Sequence, residues 1–246
     1  MKSEIFKFPD TNSSRAGISD LNSKFEGQKI AIIGLGGTGS YILDLISKTN
    51  ISEIHLYDGD DFQVHNAFRA PGGCGTDAFG TDSSVMKVDY YSEVYSRMRN
   101  GIVKHPIYVD ENNINVFSVY DFVFISVDSN AVRSFITKAL LKLKVSFIDV
   151  GMGVTRNQSE LLGTIRVTVG TPENNSHLQH RIGSDEMIEN EYATNIQIVE
   201  LNCLNATLAV IRWKKMIGFY QDLKGEFNNL YFINTGKTLN EDFTEL

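Results

Sequence analysis

Cysteine is scarce in this 246-residue chain: Cys74 and Cys203 stand far apart, and neither belongs to a C-x-x-C pair. That excludes a four-cysteine zinc site and gives no sign of a disulfide framework, so no zinc is expected. Positive charge is short as well. Twenty-three Lys and Arg face 30 Asp and Glu, a formal net charge of -7. A surface of that sign argues against nucleic acid as the main partner. Long apolar runs are missing too. The opening MKSEIFKFPD holds none of signal-peptide length, and nothing later reaches transmembrane length. A cytoplasmic, reducing setting without a membrane partner is therefore the expectation. The chain also lacks internal repeats and low-complexity tracts. What remains is 42% apolar and 22% charged residues, enough for a sizeable core in one α/β domain.

The stretch from Lys29 to Arg69 organises the rest. An apolar run, Ile30 to Ile33, breaks at Gly34-Leu35-Gly36-Gly37-Thr38-Gly39, and Tyr41, Ile42, Leu45 and Ile46 then recur at helical spacing. A second strand, Glu53 to Tyr57, delivers Asp58. Strand, glycine turn and helix are the context in which a G-x-G-x-x-G match points to a nucleotide. The glycines let the backbone approach a phosphate, and the helix N-terminus offers free N–H groups and a partial positive charge.

The alternation continues downstream. Residues 58 to 82 form a long loop with five glycines, a length that reads as functional. Ser83 or Ser84 is expected to cap a helix over Val85 to Tyr95 that stops at Gly101. Strands are predicted at Ile102 to Val109, Asp121 to Val127 and Val145 to Val150, with a short helix near Asn112 to Val116 and a longer one over Ala131 to Leu143. The expected fold is α/β: a Rossmann-like, mostly parallel sheet with helices on both faces and a small antiparallel extension. The extension begins with a strand at Leu161 to Val169, and the tail adds one at Leu230 to Ile233 before turning polar. Residues 1–27 read as an arm in which Ser13 or Ser14 caps a short helix over Ile18, Leu21 and Phe25. Residues 28–246 read as a single domain, with its parallel core at about 28–153, a polar crossing segment at about 171–191 and a long helix at about 195–220. That helix is expected to bury Ile198, Leu201, Leu204, Leu208, Ile211 and Ile217. His177 and His180 read as solvated, and Arg97 and Arg99 as surface charges.

In an open parallel sheet the ligand sits beyond the carboxyl ends of the strands. Four such ends carry signals here: the glycine turn, Asp58 with Asp60, Asp128, and Asp149-Val150-Gly151. On the glycines and Asp58 alone, which lies 19 residues past Gly39, a nicotinamide or flavin cofactor is favoured. Arg69, Lys87 and Asp128 reverse that preference. Chemistry on an ATP phosphate needs cations against developing negative charge, and a carboxylate can hold Mg²⁺. Each residue also has a plain alternative: Arg69 as a solvated loop charge, Lys87 as a helix-surface lysine, Asp128 as the cap of the helix starting near Ser129.

Taken in order, GLGGTGS, Asp58-Gly59-Asp60, Asn66-x-x-Arg69, Lys87 and Val127-Asp128-Ser129-Asn130 resemble the ubiquitin-activating-enzyme-like family that includes ThiF and MoeB. The eleven-residue step from Asp58 to Arg69 agrees with the family, as does the three-residue step from Asn66 to Arg69. The resemblance is dense from Arg15 to Gly153 and thinner beyond. It implies an ATP- and Mg²⁺-dependent adenylation of the C-terminal carboxylate of a ubiquitin-like or sulfur-carrier protein ending in glycine, with release of pyrophosphate. A rival from the same site takes a peptide or non-protein carboxylate, and one from another class is an NAD-dependent oxidoreductase. Under the resemblance, Gly34, Gly36, Gly37 and Gly39 cradle phosphate, and Asp58, followed by Asp60, holds the ribose. Asn66, Arg69 and Lys87 hold the phosphates, and Asp128 serves the metal and the incoming carboxylate. Such proteins are typically homodimers in which an N-terminal arginine reaches the partner's site, a role Arg15 is placed to fill. The chain departs from the family in lacking both C-x-x-C pairs and in a longer, glycine-rich path from Arg69 to Lys87. Its crossing segment also has no cysteine for a thioester. Cys203 reads as a buried structural thiol and Cys74 as an accessible loop thiol with nothing nearby to lower its pKa, so adenylation without a catalytic cysteine is expected.

Overall fold

A computed structural model describes residues 5–79, 84–182 and 196–243. Among them, eight strands make one sheet: β1 (Lys29–Ile33), β2 (Glu53–Tyr57), β3 (Ile102–His105), β4 (Phe122–Ile125), β5 (Phe147–Asn157), β6 (Glu160–Gly170), β7 (Glu226–Phe232) and β8 (Lys237–Phe243). Their order across the sheet is β3-β2-β1-β4-β5-β6-β7-β8. Strands β1 to β5 run parallel, and β6, β7 and β8 are added through antiparallel pairings. The expected fold class is what the chain adopts, with a larger extension than the sequence suggested.

The apolar runs of the central strands are buried on both faces, as parallel strands require. Ile30, Ile32, Phe122, Phe124 and Ile148 enter one core, while Ala31, Ile33, Val123, Ile125 and Phe147 enter the other. The first core lies under α2 (Gly37–Ile46), α4 (Lys87–Ser96) and α7 (Val199–Met216). The second lies under α5 (Asn130–Lys142) and the 3₁₀ turn Ile114–Val119. Three shorter helices complete the set: α1 (Thr11–Ala16), α3 (Val64–Ala67) and α6 (Leu178–Arg181). Trp213 of α7 is fully buried and packs edge-on to Phe124 of β4 and, 5.5 Å away, against Phe25 of the N-terminal arm. Truncating such a side chain to alanine removes about 3–5 kcal/mol.

Several expectations are corrected. The stretch over Ile18, Leu21 and Phe25 forms only a 3₁₀ turn, Ser19–Lys24, without a side-chain cap. Ser13 and Ser14 lie inside the earlier helix α1, which Asp10 caps by accepting from the N–H groups of Asn12 and Ser13. α4 starts at Lys87 behind Met86, so Ser84 is not its cap, and Ser83 lies outside the described residues. β3 stops at His105 because Pro106 brings no N–H to the ladder. β5 does not end near Gly151; it runs on to Asn157 and pairs with β6 over eleven positions. The polar tail forms a two-stranded ribbon whose outer member, β8, is held by main-chain pairing with β7 and needs no apolar pattern. Helix α7 buries Asn202, Asn205, Ala206, Ala209, Val210 and Trp213, and the leucine stripe lies to the side with Ile211 exposed. Small residues win that face because α2 comes so close: a Cβ on Gly37 would meet the Asn202 side chain at 2.1 Å. Arg99 is no surface charge. It is fully buried and donates to the carbonyls of Ser47, Thr49 and Ile51, closing the turn between α2 and β2. Of the crossing segment, residues 183–191 lie outside the described residues, as does the start of the predicted long helix at Asn195.

Candidate functional site

The glycine turn is built by close approach. Gly34 has φ +88°, and a Cβ there would fall 2.3 Å from the Ser126 carbonyl oxygen of the neighbouring strand end. A Cβ on Gly39 would fall 1.9 Å from the Gly34 carbonyl oxygen. Gly36 is different: nothing lies within 4 Å of its Cβ position. It is the N-cap of α2, no side chain caps that helix, and it lines a cavity of about 700 Å³. The first N–H groups of α2 are thus left for an anion.

At the tip of β2, Asp58 is buried and braces this turn. Its Oδ2 accepts from the Leu35 N–H at 2.6 Å, and its Oδ1 from the Asp60 N–H at 2.8 Å. Lys87, buried at the start of α4, places Nζ 2.6 Å from Asp60 Oδ2 and 3.5 Å from Asp58 Oδ1. The Tyr108 hydroxyl donates to the other oxygen of Asp60. Burial pushes the Asp60 carboxyl up, but the hydrogen bonds from Lys87 and Tyr108 outweigh it and hold it below the usual carboxylate range. The same bond to Asp60 pushes the Tyr108 phenol up to about 12. Lys87 keeps this place despite the long loop because both loop ends are tied together. Asp61 bridges Met86, and the Phe62 N–H donates to the Val85 carbonyl at 2.7 Å.

Asn66 is buried on α3, where its Oδ1 accepts from the Gln63 N–H at 2.8 Å. That fixes the turn leading to Arg69. The Arg69 guanidinium is half-buried, and its Nε is buried without a hydrogen-bond partner. Burial lowers its pKa, against the opposing pull of Tyr91 and Asp128. A cation in this state gains from any anion that enters. Asp128 is exposed at the cavity mouth, and it is not the cap of α5: the Ser129 hydroxyl accepts from the Val132 N–H. Gly34, Gly36, Asp58, Asp60, Asn66, Arg69, Lys87 and Asp128 therefore converge on one cavity. Gly37 lines the neighbouring one, and Gly39 is spent on packing. Arg15 is exposed on α1 and lines neither.

A second cavity of about 490 Å³ shares Gly36, Ser126, Val127, Asp128 and Gln197 with the first. Its wall contains Arg133 and Arg166, which flank the fully buried carboxylate of Asp149. Arg133 Nε sits 2.8 Å from Asp149 Oδ1 as an ion pair without hydrogen-bond alignment. Its other nitrogens donate to Asn130 Oδ1 and to the carbonyls of Val127 and Val150. From α7 come Asn202, whose Oδ1 accepts from Thr38 at 3.0 Å, and Asn205, whose Nδ2 donates to the Gly151 carbonyl at 3.0 Å. Sequence reasoning missed these residues. The available signal was two asparagines three apart inside a helix otherwise read as an apolar stripe.

The remaining candidates fall elsewhere. His177 is buried, with Nε2 2.8 Å from the Val169 carbonyl and its ring against Phe227, so it is structural rather than solvated. His180 is exposed. Cys74 and Cys203 are free and half-buried, Cys203 less enclosed than expected. No group of three or more His, Cys, Asp or Glu among the described residues is arranged to hold a metal ion, and no described helix is long and apolar enough to cross a membrane.

The fold has close counterparts among solved structures. E. coli MccB with MccA-N7isoASN superposes with a TM-score of 0.71 at 16% identity, over 95% of this chain and 72% of that one. E. coli MccB with ATP gives 0.68 at 18%, over 90% and 65%. Selenomethionine PaaA gives 0.67 at 16%, over 92% and 67%. No curated protein matches by sequence. A profile of the ThiF family matches residues 13–195. The glycine turn, the acid tip and Asn66 to Arg69 all fall inside that match, and the chain belongs to the ThiF family.

Proposed function

We propose that this protein is an ATP-dependent adenylyltransferase that activates the C-terminal carboxylate of a peptide or of a small ubiquitin-like or sulfur-carrier protein. The observation that carries the reading is the junction at Gly36 and Asp128. There a cavity with a glycine turn and an arginine whose buried Nε has no partner shares its wall with a second cavity that has room for the acid. The likeness to a structure of MccB with ATP supports the nucleotide, and the one with MccA-N7isoASN supports a peptide-like acid.

In this reading the ribose lies against Asp58 and the phosphates on the N–H groups of α2, with Arg69 drawn to them. Asp60 and Lys87 neutralise one another, so Lys87 acts on phosphate only by sharing Asp60. A carboxylate oxygen of the acid attacks the α-phosphorus, the bond from that phosphorus to the bridging oxygen breaks, and pyrophosphate leaves with the electron pair. No base is needed, because the acid is ionised at neutral pH. The chain's contribution is alignment and preorganised positive charge. Asp128 suits Mg²⁺, which takes one or two carboxylates and otherwise phosphate and water oxygens. The ion would supply further charge neutralisation at the phosphates. No cysteine of the chain need carry the acyl group. Arg15 acting in a partner's site within a homodimer, and a cytoplasmic setting, belong to the same reading.

ATP–pyrophosphate exchange tests it. Arg69→Ala should lower exchange about 10²-fold, as loss of one preorganised donor does, with an unchanged melting temperature because no ion pair is broken. Near wild-type exchange would remove Arg69 from the reaction. NAD bound in preference to ATP would sink the reading.

A further inference from the structure

Lys87 lines the larger cavity, yet two carboxylates hold it: Asp60 Oδ2 at 2.6 Å and Asp58 Oδ1 at 3.5 Å. An ammonium has three donors, so two acids leave one for a phosphate. The two acids are not alike. Asp58 is buried, and the N–H groups of Leu35 and Asp60 fix its two oxygens. The Asp60 side chain is 50% exposed and takes its side-chain hydrogen bonds from Lys87 on Oδ2 and from the Tyr108 hydroxyl on Oδ1. Without the second donor, Asp60 would be free to swing and would draw Lys87 more strongly, because its charge would be spread over fewer bonds.

Tyr108 is brought to this place by two features of the chain. Its carbonyl accepts from Asn113 Nδ2 at 2.8 Å, just after the turn in which the Ile107 N–H donates to the His105 carbonyl. Its ring lies against Gly59, where a Cβ would fall 2.7 Å from ring carbons Cδ2 and Cε2. Glycine between the two acids therefore makes room for a side chain from the loop after β3. At neutral pH the hydroxyl is a donor, since its bond to Asp60 pushes the phenol up to about 12. Resting on the adenylation reading above and deepening it, we propose that Tyr108 is a positioning residue for Lys87, acting through Asp60, and that Gly59 admits its ring. Donation to Oδ1 keeps Oδ2 turned to Lys87 and draws off carboxylate charge, which leaves the lysine's third N–H for a polyphosphate. The base and ribose of the nucleotide play no part in this role.

Calorimetric titration with ATP and with inorganic tripolyphosphate, which has the charge but neither base nor sugar, tests the assignment without any acid substrate. Tyr108→Phe keeps the ring on Gly59 and removes the hydroxyl. It should weaken both ligands by the same factor, about tenfold, one hydrogen bond's worth. Gly59→Ala displaces the exposed ring and should do the same at an unchanged melting temperature. A loss confined to ATP overturns the proposal and makes Tyr108 a contact of base or ribose; unchanged affinities for both ligands overturn it as well. The route through Asp60 is read by a double-mutant cycle. In an Asp60→Ala background, Tyr108→Phe should have no further effect on tripolyphosphate. An equal loss in both backgrounds puts Tyr108 on the phosphate itself and overturns the positioning role. Tripolyphosphate bound in preference to ATP by the wild type sinks the adenylation reading, while the Tyr108 comparison on tripolyphosphate still decides the proposal. Binding of neither ligand overturns both.

Discussion

The larger cavity takes most of its wall from one continuous run, Ile33 to Arg69, completed by Lys87, Tyr108 and the strand end at Ser126 to Asp128. The smaller one is assembled from Thr38 on α2, Arg133 on α5, Gly151 on β5, Arg166 on β6 and two asparagines on α7. Their charges are handled in opposite ways as well. In the smaller cavity Arg133 and Arg166 converge on Asp149, so two cations share one buried carboxylate. In the larger, Lys87 is paired with Asp60, but Arg69 keeps a buried nitrogen without a partner. The larger wall also carries Asp58, Asp61 and Asp128, so what it offers an anion is local, at Arg69 and the N-terminus of α2, and not spread over the cavity.

The largest effect expected from breaking the contrast is at Asp149. In Asp149→Asn both arginines lose their buried counter-charge, and removing one partner of such a group costs about 3–5 kcal/mol. Thermal or urea unfolding reads this directly. The freed arginines should also bind inorganic phosphate or sulfate more tightly than in the wild type, so added sulfate should restore part of the lost stability. A variant as stable as the wild type would mean that the arginines, not Asp149, hold the wall together.

Next in size is the glycine turn, where two residues of one motif should behave oppositely. Gly34→Ala forces a side chain at φ +88° to within 2.3 Å of the Ser126 carbonyl oxygen, so about 2 kcal/mol or more of stability should go. Gly36→Ala meets nothing within 4 Å and should leave the melting temperature in place; under the proposed adenylation it should weaken ATP binding by adding a methyl at the N-terminus of α2. Equal melting temperatures for the two variants would remove the distinction between the packed glycine and the open one.

The same contrast explains what could be read from residue order. The stretch from Lys29 to Arg69 carries its own geometry: strand, turn, helix and acid tip follow within one βαβ unit, so spacing stands in for distance. The parallel core followed from the same periodicity. The antiparallel half was harder to see. β8 is polar because its partner strand supplies its bonding, and β5 runs past two glycines that read as a stop. Asn202 and Asn205 gave no functional signal, because their meaning depends on Thr38 and Gly151, which the packing of α7 on α2 and β5 brings to them. Arg99 misled for a related reason: a buried arginine closing a turn has the same sequence signature as a solvated one.

The smallest predicted effect concerns Asp128, the residue both cavities share. If Ser129 is the cap of α5, Ser129→Ala should cost about 1 kcal/mol by unfolding. It should leave pyrophosphate exchange nearly unchanged, since the hydroxyl is spent on the Val132 N–H. Asp128→Ala should do the reverse, holding the melting temperature and lowering exchange, because its carboxylate makes no helix cap and faces the junction. Two adjacent residues would then divide stability and activity cleanly between them. The opposite pairing, with Asp128→Ala destabilising and Ser129→Ala silent, would return Asp128 to the plain role of a capping residue. The junction would then have no carboxylate to offer a metal ion or an incoming acid.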